Sequence, residues 1–161
     1  MEDSSAGVPE GADDFIEGIG LFFESAGVSR IGGRMLGLLT VSDGARSLDE
    51  VAAILDVSRA SVSTNARILV AAGFVQHVSL RGDRRAYYQF AADGWARHIQ
   101  HDIESARRVQ HLAESALTTL APRFEKGRKR LEHAVEFGEF LSGKLAEALE
   151  EWRRMNAAAA R

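Results

Sequence analysis

The sequence predicts a mainly α-helical fold that carries one β-hairpin wing and ends in two long helices. Three observations predict it. Two short helical segments follow each other closely between Ser47 and about Ala72. The hydrophobic period then changes from that of a helix to that of a strand across FVQHVSL and RAYYQF. From residue 93 apolar side chains recur at steps of three or four as far as Trp152.

Residues 1–12 are polar and rich in Gly and Ser, the composition of a flexible tail. From Asp13 or Asp14 the pattern turns helical, with Phe15, Ile16, Ile19, Phe22, Phe23 and Ala26 at helical spacing and acids at the positive end of the helix dipole. A second helix is expected from about Ser29 to Thr40, offering Ile31, Met35, Leu38 and Leu39, and SDGAR then breaks the chain. Ser47-Leu48-Asp49-Glu50 has the spacing of a capping box, and its helix carries Val51, Ile54 and Leu55 inward before ending near Asp56. Ser58 is the next N-cap, opening a helix from Arg59 to about Ala72 that Gly73 terminates. Two helices this short and this close must cross steeply, as in a helix-turn-helix. The hairpin that follows has Gly82 and Asp83 at its tip, with the turn type left open. Helix, tight turn, helix, hairpin is the order of a winged helix-turn-helix, here residues 47 to about 90, within a DNA-binding domain of residues 13–92 that also includes the N-terminal helix.

The region 93–161 is expected to be two helices. Trp95, Ile99, Ile103, Ala106, Val109, Ala113, Leu117 and Leu120 form one stripe, and Pro122 breaks it. Leu131, Val135, Gly138, Leu141, Leu145, Leu149 and Trp152 form the next, flanked by Phe137 and Phe140. Helices of this length extend roughly 40 to 50 Å at 1.5 Å per residue. A single winged-helix core cannot cover such arms, which points to a homodimer, two-fold dimers being the commonest homo-oligomers.

At 161 residues and 45% hydrophobic, the chain can bury a core without staples. The absence of Cys excludes disulfides, thiolate metal sites and thiol redox switching. No basic leader precedes the first apolar residues, and no run approaches the roughly 18 to 20 apolar residues of a membrane span, so a cytoplasmic location without membrane attachment is expected. The net charge of -3 is unevenly spread. Residues 1–24 hold seven acids and no base, whereas residues 57–90 hold Arg59, Arg67, Arg81, Arg84 and Arg85 against Asp83 alone. Only the surface that faces phosphates has to be basic.

On the second helix of the motif, Val62, Ala66 and Leu69 share one face and Ala60, Ser63, Thr64 and Arg67 the other. Small side chains there permit close approach to base edges, while hydroxyls and Arg supply hydrogen bonds. Ser61 and Asn65 lie on the flanks, able to meet phosphate or to bond within the turn. Ser58 is an N-cap whose helix start also presents N–H groups to an anion. Arg59 in the first turn opposes the helix dipole, which a nearby phosphate would relieve. Arg81, Arg84 and Arg85 crowd the wing tip, where Asp83 can hold Arg85 or Arg81 and leave Arg84 for DNA, including a narrow A·T-rich minor groove. A solvated arginine at 67 and a solvated turn with one ion pair are the alternatives.

The segment LDEVAAILDVSRASVSTNARILVAAGFVQHVSLRGDRRAYYQF resembles the GbsR-type branch of the MarR-like winged helix-turn-helix transcriptional regulators. The resemblance rests on S-x-x-S-V-S-x-N-x-R-x-L from Ser58 to Leu69, G-F-V at 73–75 and G-D-R-R-x-Y-Y from Gly82 to Tyr88, with FIEGIGLFFESAGVSRIGGRMLGLL at 15–39 similar to the family's N-terminal part. It implies a homodimeric repressor on a pseudo-palindromic operator, with Arg59, Ser61, Ser63, Thr64 and Arg67 in the major groove and Arg84 and Arg85 in the wing. It also implies a small-molecule effector, with a quaternary ammonium compound as one candidate. Phe15, Phe22, Trp95, Phe137, Phe140 and Trp152 are the aromatics available to attract such a cation, although aromatics at helical spacing also serve as dimer core.

An enzyme is not expected, since no nucleophile-base or metal cluster stands out and no cofactor motif is present. His98, His101 and Asp102 share a helix face only approximately, and a solvated or interface role suits them better than a metal. Glycines 18, 20, 27, 32, 33 and 37 follow no phosphate-loop pattern and suit close helix packing. The rival function is a winged-helix module for protein-protein interaction, with weak nonspecific DNA binding.

Overall fold

The structure is a computed structural model that describes residues 7–159. The elements run α1 (Asp13–Ser25), α2 (Arg30–Val41), β1 (Arg46–Ser47), α3 (Leu48–Leu55), α4 (Arg59–Ala71), β2 (Val75–Val78), β3 (Tyr87–Phe90), α5 (Gly94–Thr119) and α6 (Glu125–Ala159). The mainly α fold with a hairpin wing and long C-terminal helices is therefore as the sequence predicts. The chain divides into two compact units after Gly94.

In the first unit the capping chemistry sets the helix starts. Ser29 accepts from the Gly32 N–H at 3.3 Å, and Ser58 from the Ser61 N–H at 3.2 Å. Ser47 accepts from Glu50 N–H at 3.2 Å while the Glu50 carboxylate accepts from Ser47 N–H at 2.6 Å, completing the capping box. Three helices stop in the same way. Val28 N–H bonds Phe23 O, Val57 N–H bonds Ala52 O and Phe74 N–H bonds Leu69 O, each closing over a residue with positive φ. At α1 and α4 that residue is Gly27 or Gly73, but in the helix-turn-helix turn it is Asp56, the one non-Gly residue with positive φ among those described.

The break expected at SDGAR contains an element that the sequence hides. Arg46 pairs with Tyr88 and Ser47 with Tyr87, so β1 adds an edge to the hairpin and the order is β1-β3-β2, antiparallel throughout. A two-residue strand has no room to display a period of two. Of the tail expected over 1–12, residues 1–6 lie outside the described residues. Beyond them Val8 packs on the core and Ala12 is buried, so the chain is anchored before α1 begins.

The core sits around α2, whose Met35, Leu36, Leu38 and Leu39 are fully buried with Ile16, Val51, Leu55, Val62, Leu69 and Val75. Each such side chain contributes on the order of 1.5 to 3 kcal/mol by leaving water. α1 and α2 approach so closely that a Cβ on Gly33 would lie 2.6 Å from Ile19 O, and one on Gly37 would lie 2.9 Å from Ile16 Cα. Glycine is what permits this contact.

The second unit is a pair of helices. Ala96, Ile103 and Leu149 form its buried cluster, with Ile99, Leu145 and Ala146 against it. Gly138 lets α6 pass within touching distance of Ala106 and Gln110. Arg128 donates 2.9 Å hydrogen bonds to Leu117 O and Leu120 O, satisfying carbonyls that the end of α5 leaves unpaired. Val109, Leu112, Phe137, Phe140 and Met155 remain exposed on this unit.

Candidate nucleic-acid interface

α4 buries Val62, Ala66 and Leu69 and turns Thr64 and Arg67 outward, with Ser63 partly exposed. The division of faces follows from the helical spacing, and it leaves a shallow polar surface on the outer side. Of the two roles open to Asn65, it takes the bond within the turn, from a position more buried than a flank. It is buried, donates to Ser61 O at 2.9 Å, and its Oδ1 occupies the space where a Cβ on Gly32 would fall. Asn65 thus fastens α4 to α2.

At the start of α4 the Ser58 and Ser61 hydroxyls lie 2.9 Å apart, with Ser58 exposed. Arg59 pairs through Nε with the Asp49 carboxylate at 2.8 Å, so a cation expected to face phosphate is tied to α3. Among the described residues Arg67 makes only a long 3.4 Å contact, to Ser63 O in its own helix, and it stays exposed.

Residues 79–86 join β2 to β3, a longer connection than the tight tip expected. Asp83 N–H bonds Leu80 O at 3.1 Å across a turn whose third residue, Gly82, has φ of 86°, as a type II turn requires. Asp83 then gathers its neighbours: Arg85 donates from its side chain to both carboxylate oxygens and from its backbone N–H, and the Tyr87 hydroxyl donates at 2.7 Å. These donors, the Arg85 guanidinium first, hold the Asp83 carboxyl well below the usual carboxylate range. The same bond to Asp83 raises the Tyr87 hydroxyl, and the Arg85 cation lies 5.2 Å from the Tyr87 ring centre. Arg81 and Arg84 are exposed and have no side-chain partner among the described residues.

The aromatics proposed for an effector divide. Trp95 and Trp152 come together, lining an apolar cavity of about 270 Å³ with Ala96, Ile99, Ala148 and Leu149. Phe137 lines a separate groove with Val109, Leu141 and Leu145, and Phe140 is exposed outside both. Phe15 and Phe22 belong to α1 in the first unit and are exposed. His98 lies 3.6 Å from Asp102, while His101 faces Ser105, and among the described residues no three ligand-type side chains converge. No helix among the described residues is long and apolar enough to cross a membrane.

Residues 26–86 match the MarR family, and residues 93–155 match the MmpR5-like MarR family transcriptional regulators. The HTH-type transcriptional regulator MmpR5 of Mycobacterium tuberculosis (strain ATCC 25618 / H37Rv) is 32% identical over 137 residues, covering 84% of this chain and 83% of its own length. A crystal structure of a transcriptional regulator superposes with a TM-score of 0.82 at 30% identity, over 89% of this chain and 98% of that one. Over 93–155 the match is of the MmpR5-like kind and not to the GbsR-type branch that the shorter motifs resemble.

Proposed function

The chain belongs to the MarR family of transcriptional regulators, whose members are not enzymes, and from that premise we propose that it is a cytoplasmic, homodimeric repressor that binds double-stranded DNA by sequence and is released by a small-molecule effector. The observation that carries the reading is the outer face of α4, where Thr64, Arg67 and partly exposed Ser63 stand clear of the core in the same unit as Arg81 and Arg84, which have no side-chain partner among the described residues. Such a face suits the major groove, with Arg67 able to reach a base edge and the wing arginines to meet backbone or minor groove. Ser58 and Ser61 are assigned to phosphate contact at the helix start. Arg59 and Arg85 are assigned a shared role, each approaching DNA while oriented by Asp49 or Asp83.

The exposed Val109, Leu112, Phe137, Phe140 and Met155 support dimerisation through the helical unit, since a stable interface buries on the order of 800 Å² per partner. For the effector, the Trp95/Trp152 cavity supports a ligand with a broad apolar surface. A quaternary ammonium compound falls in that class because indole faces attract such cations. These are the chain's two tryptophans, so quenching of intrinsic fluorescence reads binding there directly.

The experiment is a salt titration of binding to the DNA upstream of the chain's own coding sequence against a scrambled duplex. A regulator prefers the upstream DNA at moderate salt and protects half-sites about 34 to 36 Å apart or a multiple of that. Equal binding to both duplexes rejects this function and favours the protein-interaction module.

A further inference from the structure

Outside the DNA-facing surface, one chain of contacts runs from α1 to the turn that aims α4. The Glu17 carboxylate on α1 accepts from Arg30 at 2.9 Å and pairs with Arg34 Nε, both on α2. Arg34 Nη1 donates at 3.0 Å to Leu55 O, at the last residue of α3. The carbonyls that end a helix lack partners within it, so Arg34 satisfies a group that would otherwise be left to water. The next residue is Asp56, held at φ 52° and ψ 52°, a left-handed conformation that L-residues adopt only singly and at a cost. α4 begins three residues later.

Space has been cleared for this arrangement. The Arg34 Cγ lies 2.7 Å from the position of a Cβ on Gly20, and the Arg30 Cγ lies 3.3 Å from it, so both stems cross α1 where no side chain stands. The Arg34 Nε is buried, and its contact with Glu17 is an ion pair more than an aligned hydrogen bond. Hydrogen bonding from Arg30, with the Arg34 charge adding to it, keeps the Glu17 carboxyl below its ordinary range.

We propose that Arg34 is a positioning residue for DNA recognition: it locks the helix-turn-helix turn in its left-handed form, and Glu17 holds it there from α1. The proposal rests on the DNA-binding reading above. A guanidinium serves it because Nη1 bonds Leu55 O while Nε pairs by charge with Glu17, two separate contacts that a single ammonium cannot reproduce.

The test uses the full chain with R34Q, R34K and E17Q, at a temperature where thermal unfolding shows all four proteins folded. Amide exchange at Val57, whose N–H bonds Ala52 O across the turn, is read without DNA. Affinity for the upstream duplex relative to a scrambled one is read in parallel. R34Q and R34K are expected to speed Val57 exchange and to lose about tenfold in that ratio, the scale of one charge-assisted hydrogen bond, with a smaller change in the same sense for E17Q. R34K retains the stem and the charge, so a role in packing or net charge alone predicts that it behaves as wild type; that result overturns the proposal. Unchanged exchange in R34Q overturns it equally. A wild-type protein without preference for either duplex overturns the DNA reading and this proposal's consequence for DNA, and is seen before any variant is compared.

Discussion

Arg85 closes on the Asp83 carboxylate, donating to Oδ2 from Nη2 at 2.7 Å and from Nε at 2.9 Å and to Oδ1 from Nε at 3.2 Å, with the Tyr87 hydroxyl also donating to Oδ2. Most of the Arg85 charge is therefore balanced by Asp83, while Arg84 beside it keeps its charge for a partner. If the wing meets phosphate, R84A should reduce the salt slope of DNA binding by roughly 0.9 for each contact removed. R85A should act more through wing order than through counterion release. Parallel salt titrations of the two variants check this, and identical slopes for wild type and R84A contradict it.

The same clamp sets a pH window. The lowered Asp83 carboxyl contributes stability that is present above the ordinary carboxylate range and lost only as pH falls through its lower folded value. The raised Tyr87 hydroxyl contributes stability that is full below the ordinary phenol range and lost as pH rises through its higher folded value. The wing is therefore clamped throughout neutral pH. D83N should return Tyr87 toward the ordinary phenol range, read as a lower midpoint in the ultraviolet titration of the tyrosines. An unmoved midpoint counts against the clamp.

Arg59 and Asp49 form a second such pair, this time between α4 and α3. Both side chains are well exposed, so the pair adds little to stability. If this end of α4 faces DNA as proposed, the pair's larger effect is there, because Asp49 brings a negative charge and fixes where Arg59 points. D49N should leave thermal stability nearly unchanged and strengthen binding to scrambled DNA, lowering the preference for the upstream duplex. Competition binding with both duplexes measures it, and a fall in both affinities would show that the carboxylate aids docking through Arg59.

Much of this was legible from residue types that act on their neighbours in sequence. The capping serines 47 and 58, the stop at Gly73 and the buried face Val62/Ala66/Leu69 depend on contacts within one or two turns, which spacing encodes. What escaped depends on partners far along the chain. β1 exists because β3 lies beside it, Asn65 is buried because Gly32 makes room for it, and Arg34 matters because Leu55 O is 3.0 Å away. The glycines of α2 and the Glu17/Arg30/Arg34 charges were the available signal, but sequence alone does not say which carbonyl an arginine will reach.

Arg128 gives the helical unit its own test. It bridges two carbonyls at the end of α5 with 2.9 Å bonds, where its charge also suits the negative end of the helix dipole. R128Q should cost about 1 to 3 kcal/mol in that unit, the scale of hydrogen bonds to a charged group. Denaturant unfolding followed by fluorescence of Trp95 and Trp152, which lie in the same unit, would register the loss. An unchanged midpoint would show that the joint between α5 and α6 does not depend on this cap.

Two glycines of the first unit should respond oppositely to the same substitution. At Gly33 a methyl group would meet Ile19 O at 2.6 Å and Phe23 Cβ at 2.9 Å, and backbone cannot swing aside as a flexible side chain can. G33A should therefore push α1 from α2 and destabilise by about 1 to 3 kcal/mol, the usual cost of overpacking. At Gly18, also helical, a Cβ would meet nothing within 4 Å. There the methyl group only narrows the freedom of the unfolded chain and improves helix propensity, so G18A should stabilise by about 0.5 to 1 kcal/mol. Equilibrium denaturation of both variants separates the two effects. Equal shifts would mean that backbone entropy, and not the contact between α1 and α2, governs both positions.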